Sequence, residues 1–120
     1  MAHQRPFEKM IVWQEAHRLC LSVYQATKSF PSDERFGLIS QMQRSSYSVP
    51  TNIAEGNGKK SWKEKAHFYE TAHCSLEELS YQCMLARDLK YLSGETSETL
   101  DDHTQRVSYL LTRLRSSLPT

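Results

Sequence analysis

Trp62, Ala66, Tyr69, Ala72, Leu76, Leu79, Cys83, Ala86 and Leu89 recur at intervals of three or four residues, with no glycine or proline between them. One face of an α-helix repeats at that interval, so the run predicts a helix of about thirty residues and about 45 Å. Ser61-Trp62-Lys63-Glu64 reads as its capping box, in which the Ser hydroxyl and the Glu carboxylate satisfy amides at a helix start. Leu92-Ser93-Gly94-Glu95-Thr96 ends it near Gly94.

The other breaks in periodicity coincide with the chain's few prolines and glycines, four of each. They cut out three more helical pieces. The first runs from about Glu8 to Ser29, with Trp13, Ala16, Cys20, Val23 and Ala26 on one face. Pro31 stops it, and Ser32 or Asp33 is placed to cap the next, with Glu34 in its first turn. That second helix runs to Glu55 with Phe36, Ile39, Met42, Ser46, Val49 and Ile53 as its stripe and Gly56 as its C-terminal cap. The fourth, from about Thr96 to Leu118, carries Leu100, Val107, Leu110, Leu111, Leu114 and Leu118. No segment has the period-two pattern of a strand. Four amphipathic helices joined by short loops predict an all-α fold, an antiparallel up-down-up-down four-helix bundle. We expect residues 1–6 to be a flexible N-terminal segment and 7–120 to be one domain, since 120 residues suffice for a single core. The first helix, at about 33 Å, is shorter than the third, which leaves an overhang. Phe68, Leu85, Leu92, Leu19 and Tyr24 lie off the main stripes and suggest a second buried seam, between subunits.

Fifteen Lys and Arg against fourteen Asp and Glu leave a net charge of +1, so no global field draws the chain to nucleic acid or membrane. Any electrostatic footprint is local. No apolar run approaches the roughly 20 residues that span a bilayer. Met1 to Met10 lacks the apolar stretch of a secretory signal, and a cytoplasmic location is expected. Cys20, Cys74 and Cys83 are odd in number and lack CxxC spacing, so they read as small core residues.

Two Glu-x-x-His motifs, Glu64 to His67 and Glu70 to His73, carry the spacing of carboxylate-bridged di-iron sites. Both lie on the third helix, six residues apart. Six residues turn a helix by about 600°, so the two histidines project about 120° apart and do not face one metal. His17 and His103 remain a pair that could approach across a bundle. Gly56-Asn57-Gly58-Lys59-Lys60-Ser61 superficially suggests a phosphate loop, but Ile53 and Lys60 stand where that motif needs Gly and Ser or Thr. No nucleophile elbow is present. We therefore expect no catalytic residue, no metal and no cofactor.

Lys59, Lys60, Lys63 and Lys65 are the densest basic cluster and, with Trp62 among them, the candidate nucleic-acid-binding residues. Pro50 interrupts the second helix, removing one amide donor and freeing the carbonyl of Ser46. Ser46, Ser48, Thr51 and Asn52 are placed to bond the freed backbone groups. Asn52 and Glu55, three residues apart, share a face and form a candidate polar patch with Arg44 or Gln41 as partners.

Phe30-Pro31 with Glu34 and Phe36-Gly37-Leu38, Asn52-Ile53-Ala54-Glu55-Gly56, and Ser75-Leu76-x-Glu78-Leu79 resemble the four-helix proteins encoded within intervening sequences of bacterial 23S ribosomal RNA genes. The resemblance covers about Phe7 to Leu118. It departs at Ser45 and Ser46, where an alanine is common, and at His73 and Cys74, where a smaller pair is usual. The resemblance implies a four-helix bundle assembled as a ring of five without enzymatic activity. A related branch, the accessory proteins of diversity-generating retroelements, engages a reverse transcriptase and its RNA.

The sequence thus leads to a non-enzymatic, homo-oligomeric scaffold with RNA or a nucleic-acid-processing protein as its partner. A protein-only adaptor is the alternative, and a metal-dependent enzyme a more distant one.

Overall fold

Two of the helices begin where a serine hydroxyl accepts from an orphan amide. The computed structural model describes residues 3–119 and places four α-helices in them: α1 Ile11–Thr27, α2 Leu38–Asn57, α3 Trp62–Asp88 and α4 Gly94–Ser116. Among the described residues there is no strand. Ser61 accepts from the Glu64 amide at 3.1 Å and Ser93 from the Thr96 amide at 3.1 Å, the side-chain caps of α3 and α4. Of segment 1–6, residues 1 and 2 lie outside the described residues. Pro6 opens a short 3-10 turn that ends at Lys9.

Several boundaries differ from the sequence reading. Neither Ser32 nor Asp33 caps α2; Ser32 to Glu34 form a separate 3-10 turn, and the helix starts at Leu38. Glu34 explains the delay. One of its carboxylate oxygens accepts from the Leu38 amide at 3.2 Å and the other from the Tyr91 hydroxyl at 2.9 Å, so a single side chain ties the turn to both α2 and the end of α3. Phe36, expected in the α2 stripe, therefore stands outside the helix and is 85% exposed. At the other end, Gly56 is not a cap. It lies within α2, which ends at Asn57 with Gly58 as its C-terminal cap.

The third helix also ends earlier than Gly94. Lys90 takes φ 65°, the left-handed conformation, and its amide bonds to the Arg87 carbonyl at 2.9 Å while the Tyr91 amide reaches back to Ala86 at 2.9 Å. Two such bonds close a helix in the Schellman manner, with Lys90 in the position glycine usually holds. Gly94 becomes the first residue of α4.

All four helices contribute to one core. Ala16, Leu19 and Val23 meet Met42, Val49 and Ile53, with Tyr69, Ala72, Leu76 and Leu79 from α3 and Leu100, Val107 and Leu111 from α4. Leu19 and Leu92, read as off-stripe, are 1% and 7% exposed and belong to this core. The buried face of α1 is rotated toward Val12, Glu15 and Leu19, leaving Trp13 half-buried. Cys20 and Cys83 are buried as expected, but Cys74 is exposed, because it falls on the solvent face between Glu70 and Glu77. Burial pushes the Cys83 thiol up to about 11, helped by Asp101, and also raises Cys20. Ser45 and Ser46 sit at 0% and 1% exposure where α2 meets α3 and α1. Ser45 donates to Gln82 at 2.6 Å, and Ser46 donates to the Gln43 carbonyl at 2.8 Å with the Cys20 sulfur 3.4 Å away, so neither hydroxyl is stranded in the packing.

Candidate functional site

The loop between α2 and α3 carries the lysine cluster, and local chemistry divides it. Helix α2 ends with unsatisfied carbonyls. Lys65, one turn into α3, donates its ammonium to two of them, Gly56 at 3.2 Å and Asn57 at 2.9 Å. The Lys59 ammonium lies 5.2 Å from the centroid of the Phe68 ring, a cation–π contact that folds it back onto α3. Lys60 and Lys63 are exposed and, among the described residues, make no hydrogen bond or ion pair. Trp62 stands between them with 53% of its surface open. Of four candidate phosphate ligands, two are thus committed to holding the loop and two are free.

The proposed polar patch also divides. Asn52 is half-buried and donates to the Ser48 carbonyl at 2.8 Å and to its hydroxyl at 3.1 Å. Ser48 in turn meets the Ser75 hydroxyl of α3 at 2.8 Å. Arg44 pairs with Glu78 at 2.7 Å, and Glu78 accepts from Gln82 at 3.2 Å. Arg44, Ser45, Ser48 and Asn52 thereby line a polar seam along α2 and α3. Glu55 takes no part; it is exposed and faces the groove between α1 and α2. Around Pro50, Thr51 donates to the Tyr47 carbonyl at 2.7 Å, so Thr51 and Asn52 bond the carbonyls of residues 47 and 48. The Ser46 hydroxyl turns instead to the Gln43 carbonyl at 2.8 Å.

A charged cluster that the sequence reading missed joins α1 to α4. Glu15 is 8% exposed and accepts from Arg106 at 2.7 Å, with Arg18 at 3.4 Å and His103 at 3.8 Å. The Arg106 hydrogen bond holds the Glu15 carboxyl below the usual range, with the charges of Arg18, Arg106 and His103 acting the same way against the cost of burial. The signal was present in the sequence. Glu15 lies three residues from Val12 and four from Leu19, a charge in a buried stripe that demands a partner. His103 faces Glu15, its buried Nε2 without a hydrogen-bond partner among the described residues, while His17 stacks on Trp13 with ring centroids 5.1 Å apart.

The histidines of the two Glu-x-x-His motifs also separate. His67 packs edge-on against Phe68. His73 has Arg115 Nη1 at 3.1 Å from Nδ1 and the Ser108 hydroxyl at 3.1 Å from Nε2. Arginine can only donate, so Nδ1 is the acceptor and Nε2 carries the proton. Among the described residues no group of three His, Cys, Asp or Glu side chains is arranged to hold a metal ion.

Two apolar grooves flank α2. The first, of about 570 Å³, lies against α1 and is walled by Phe7, Trp13, Leu21, Tyr24, Tyr47 and Pro50. The second, of about 510 Å³, lies against α3 and includes Leu38, Tyr81, Leu85 and Leu89 between Glu34 and Glu78. Leu21, Tyr47 and Tyr81 are 55%, 48% and 61% exposed, far more than a closed core would leave.

The family model of the 23S rRNA-intervening sequence protein matches residues 8–113. The chain belongs to this family. A crystal structure of a protein of unknown function from the S23 ribosomal protein family of Bacteroides thetaiotaomicron has the same fold. It superimposes with a TM-score of 0.82 at 18% identity, covering 89% of this chain and 96% of that one. No curated protein matches the chain. Membership of the 23S rRNA-intervening sequence family names a genetic origin and an architecture. The chemistry must be argued from the grooves, the seam and the loop. Among the described residues no helix is long and apolar enough to cross a membrane.

Proposed function

We propose that this member of the family is a non-enzymatic helical scaffold that associates with copies of itself and presents a surface to RNA or to a nucleic-acid-processing protein. The observation that carries the reading is the apolar groove between α1 and α2, where Leu21, Tyr24 and Tyr47 remain exposed around Pro50. Contiguous apolar surface of this kind marks an interaction site. A second apolar groove, lined by different residues and edged by Glu34 and Glu78, lies on the opposite flank of the same helix. Unlike surfaces on two sides of one helix suit head-to-tail association, in which one copy's α1–α2 face meets the next copy's α2–α3 face. Such contacts close into a ring when the rotation between copies allows it. A ring of five, in the cytoplasm, is the form we favour on the family resemblance.

The pairings between helices support an antiparallel up-down-up-down arrangement. Gln82 and Ser75 of α3 bond Ser45 and Ser48 of α2, so numbers fall along one helix as they rise along the other. His73 with Ser108, and Cys83 beside Asp101, fit the same sense for α3 and α4.

Light scattering on the purified protein tests the reading. A mass of several chains is expected, and Leu21→Glu with Tyr24→Glu should reduce it to one; a monomeric wild type sinks the proposal. The near-neutral net charge of +1 favours a second reading, an adaptor for protein alone. Partner capture that is insensitive to salt would select it.

A further inference from the structure

We propose that Trp62 is a stacking platform for an unpaired base of single-stranded RNA, with Lys60 and Lys63 holding the adjoining phosphates and Arg115 the strand's continuation. The inference rests on the reading that RNA is among the scaffold's partners, and it names the site and the form of RNA.

The two tryptophans of the chain are placed very differently. Trp13 is half-buried, with the Phe7 ring 5.0 Å and the His17 ring 5.1 Å from its own. Trp62 is the first residue of α3 and is 53% exposed, so a face of the indole is open to a flat partner. Its nearest charged neighbours along the chain are Glu64 and the two lysines that hold nothing else, Lys60 and Lys63, whereas Lys59 and Lys65 are occupied by Phe68 and by the α2 carbonyls. One turn further along the same face stands Ala66, whose short side chain leaves a shallow groove of about 330 Å³ against α4, lined also by Thr112, Arg115 and Ser116. An aromatic ring followed by a hydroxyl- and guanidinium-lined groove matches the alternation of base and sugar-phosphate in a single strand.

Arg115 is held in place for this. It donates to His73 Nδ1, and His73 is fixed in turn by Ser108, so the guanidinium is oriented before any ligand arrives. An apolar protein partner fits the patch poorly, because the chain around Trp62, from Lys60 to Ala66, is otherwise charged or hydroxyl-bearing apart from one alanine. Duplex nucleic acid also fits poorly, since its base faces are covered by their neighbours. Glu64 in the first turn of α3 opposes the cations, which makes binding modest and salt-sensitive.

The test uses a fluorescently labelled 12-nucleotide RNA of mixed sequence, titrated with the full chain at several salt concentrations. Trp62→Ala should weaken binding about 5- to 100-fold, the range for losing one stacked base, while Trp62→Phe retains most of it. Lys60→Gln with Lys63→Gln should lower the slope of log affinity against log salt by about 1.4, at about 0.7 per phosphate contact on a single strand. Lys65→Gln, which removes a structural lysine, should leave the slope unchanged. Wild-type binding with an unaffected Trp62→Ala variant overturns the stacking site while leaving RNA as a partner. Equal affinity for a duplex of the same length overturns the single-strand assignment. No RNA binding by the wild type overturns the inference altogether, and the mass by light scattering on the same sample then shows separately whether the self-association reading stands.

Discussion

Gly56 of α2 lies so close to Tyr69 of α3 that a Cβ built on it would stand 2.6 Å from the ring's Cε1. Tyr69 is itself 2% exposed and has no room to withdraw. Helix propensity alone favours alanine over glycine by about 1 kcal/mol. The clash outweighs it, and Gly56→Ala should destabilise the fold by about 1–3 kcal/mol in urea denaturation. Gly58→Ala meets only ordinary contact at 3.6 Å and serves as the control, with a change near zero. Equal effects at both positions would refute the close approach as the reason for Gly56.

Lys90 holds a left-handed conformation that a side chain disfavours, at φ 65°. Lys90→Gly should raise stability by about 1 kcal/mol by removing that penalty, and thermal denaturation would register it as a higher Tm. A lower Tm would mean that the lysine side chain contributes more than its backbone costs.

Glu15 links acid stability to the α1–α4 contact. Its carboxyl is held below the ordinary value of 4.5 in the folded chain, chiefly by the Arg106 hydrogen bond. In the unfolded chain it protonates first as pH falls, so the unfolded state binds more protons and the stabilisation is lost from about pH 4.5 downward. Glu15→Gln should flatten that part of the pH–stability curve. At neutral pH it should cost about 1 kcal/mol, since Arg106 is largely exposed and the pair is partly screened. An unchanged acid limb in the variant would remove Glu15 from the account.

The three cysteines should label unequally. Cys74 is exposed, while Cys20 and Cys83 are buried, with their thiols raised by that burial. Brief iodoacetamide treatment at pH 8 should modify one thiol in the folded chain and all three in urea, as counted by intact mass. Cys74→Ser should abolish the native adduct. Native labelling of all three would contradict the packing of α1 and α3. The raised Cys83 value adds stability that is fully present below about pH 9 and is lost as pH rises toward about 11, where the folded thiol also ionises.

How much of this was legible beforehand depended on what each residue needed. The three-four stripe of α3 was readable because Tyr69, Leu76, Leu79 and Ala86 satisfy a purely local rule, and all are buried. Phe36 misled because spacing says nothing of where a helix starts, and the start was moved by Glu34 bonding Leu38 and Tyr91, the latter 57 residues away. Gly56 looked like a cap by sequence position, whereas its reason is a ring on another helix. The lysine cluster could be found by counting charges, but counting does not reveal that Lys65 closes α2 and Lys59 rests on Phe68. Arg44 was read as a partner for Asn52 and Glu55, but it pairs with Glu78, while Asn52 bonds Ser48 and, through Ser48, reaches Ser75; these partners are fixed by the α2–α3 register.

The Ser45–Gln82 hydrogen bond, buried between α2 and α3 at 2.6 Å, carries a consequence for how relatives of this chain can diverge. Losing Ser45 alone strands the Gln82 side-chain oxygen in the interior, at about 1–3 kcal/mol, whereas Ser45 without Gln82 still has the Met42 carbonyl at 3.1 Å. Substitution at 45 is therefore expected to bring substitution at 82 with it. Lineages with alanine at 45 are expected to have abandoned glutamine at 82, and the correlation would stand out as a paired substitution 37 residues apart in sequence.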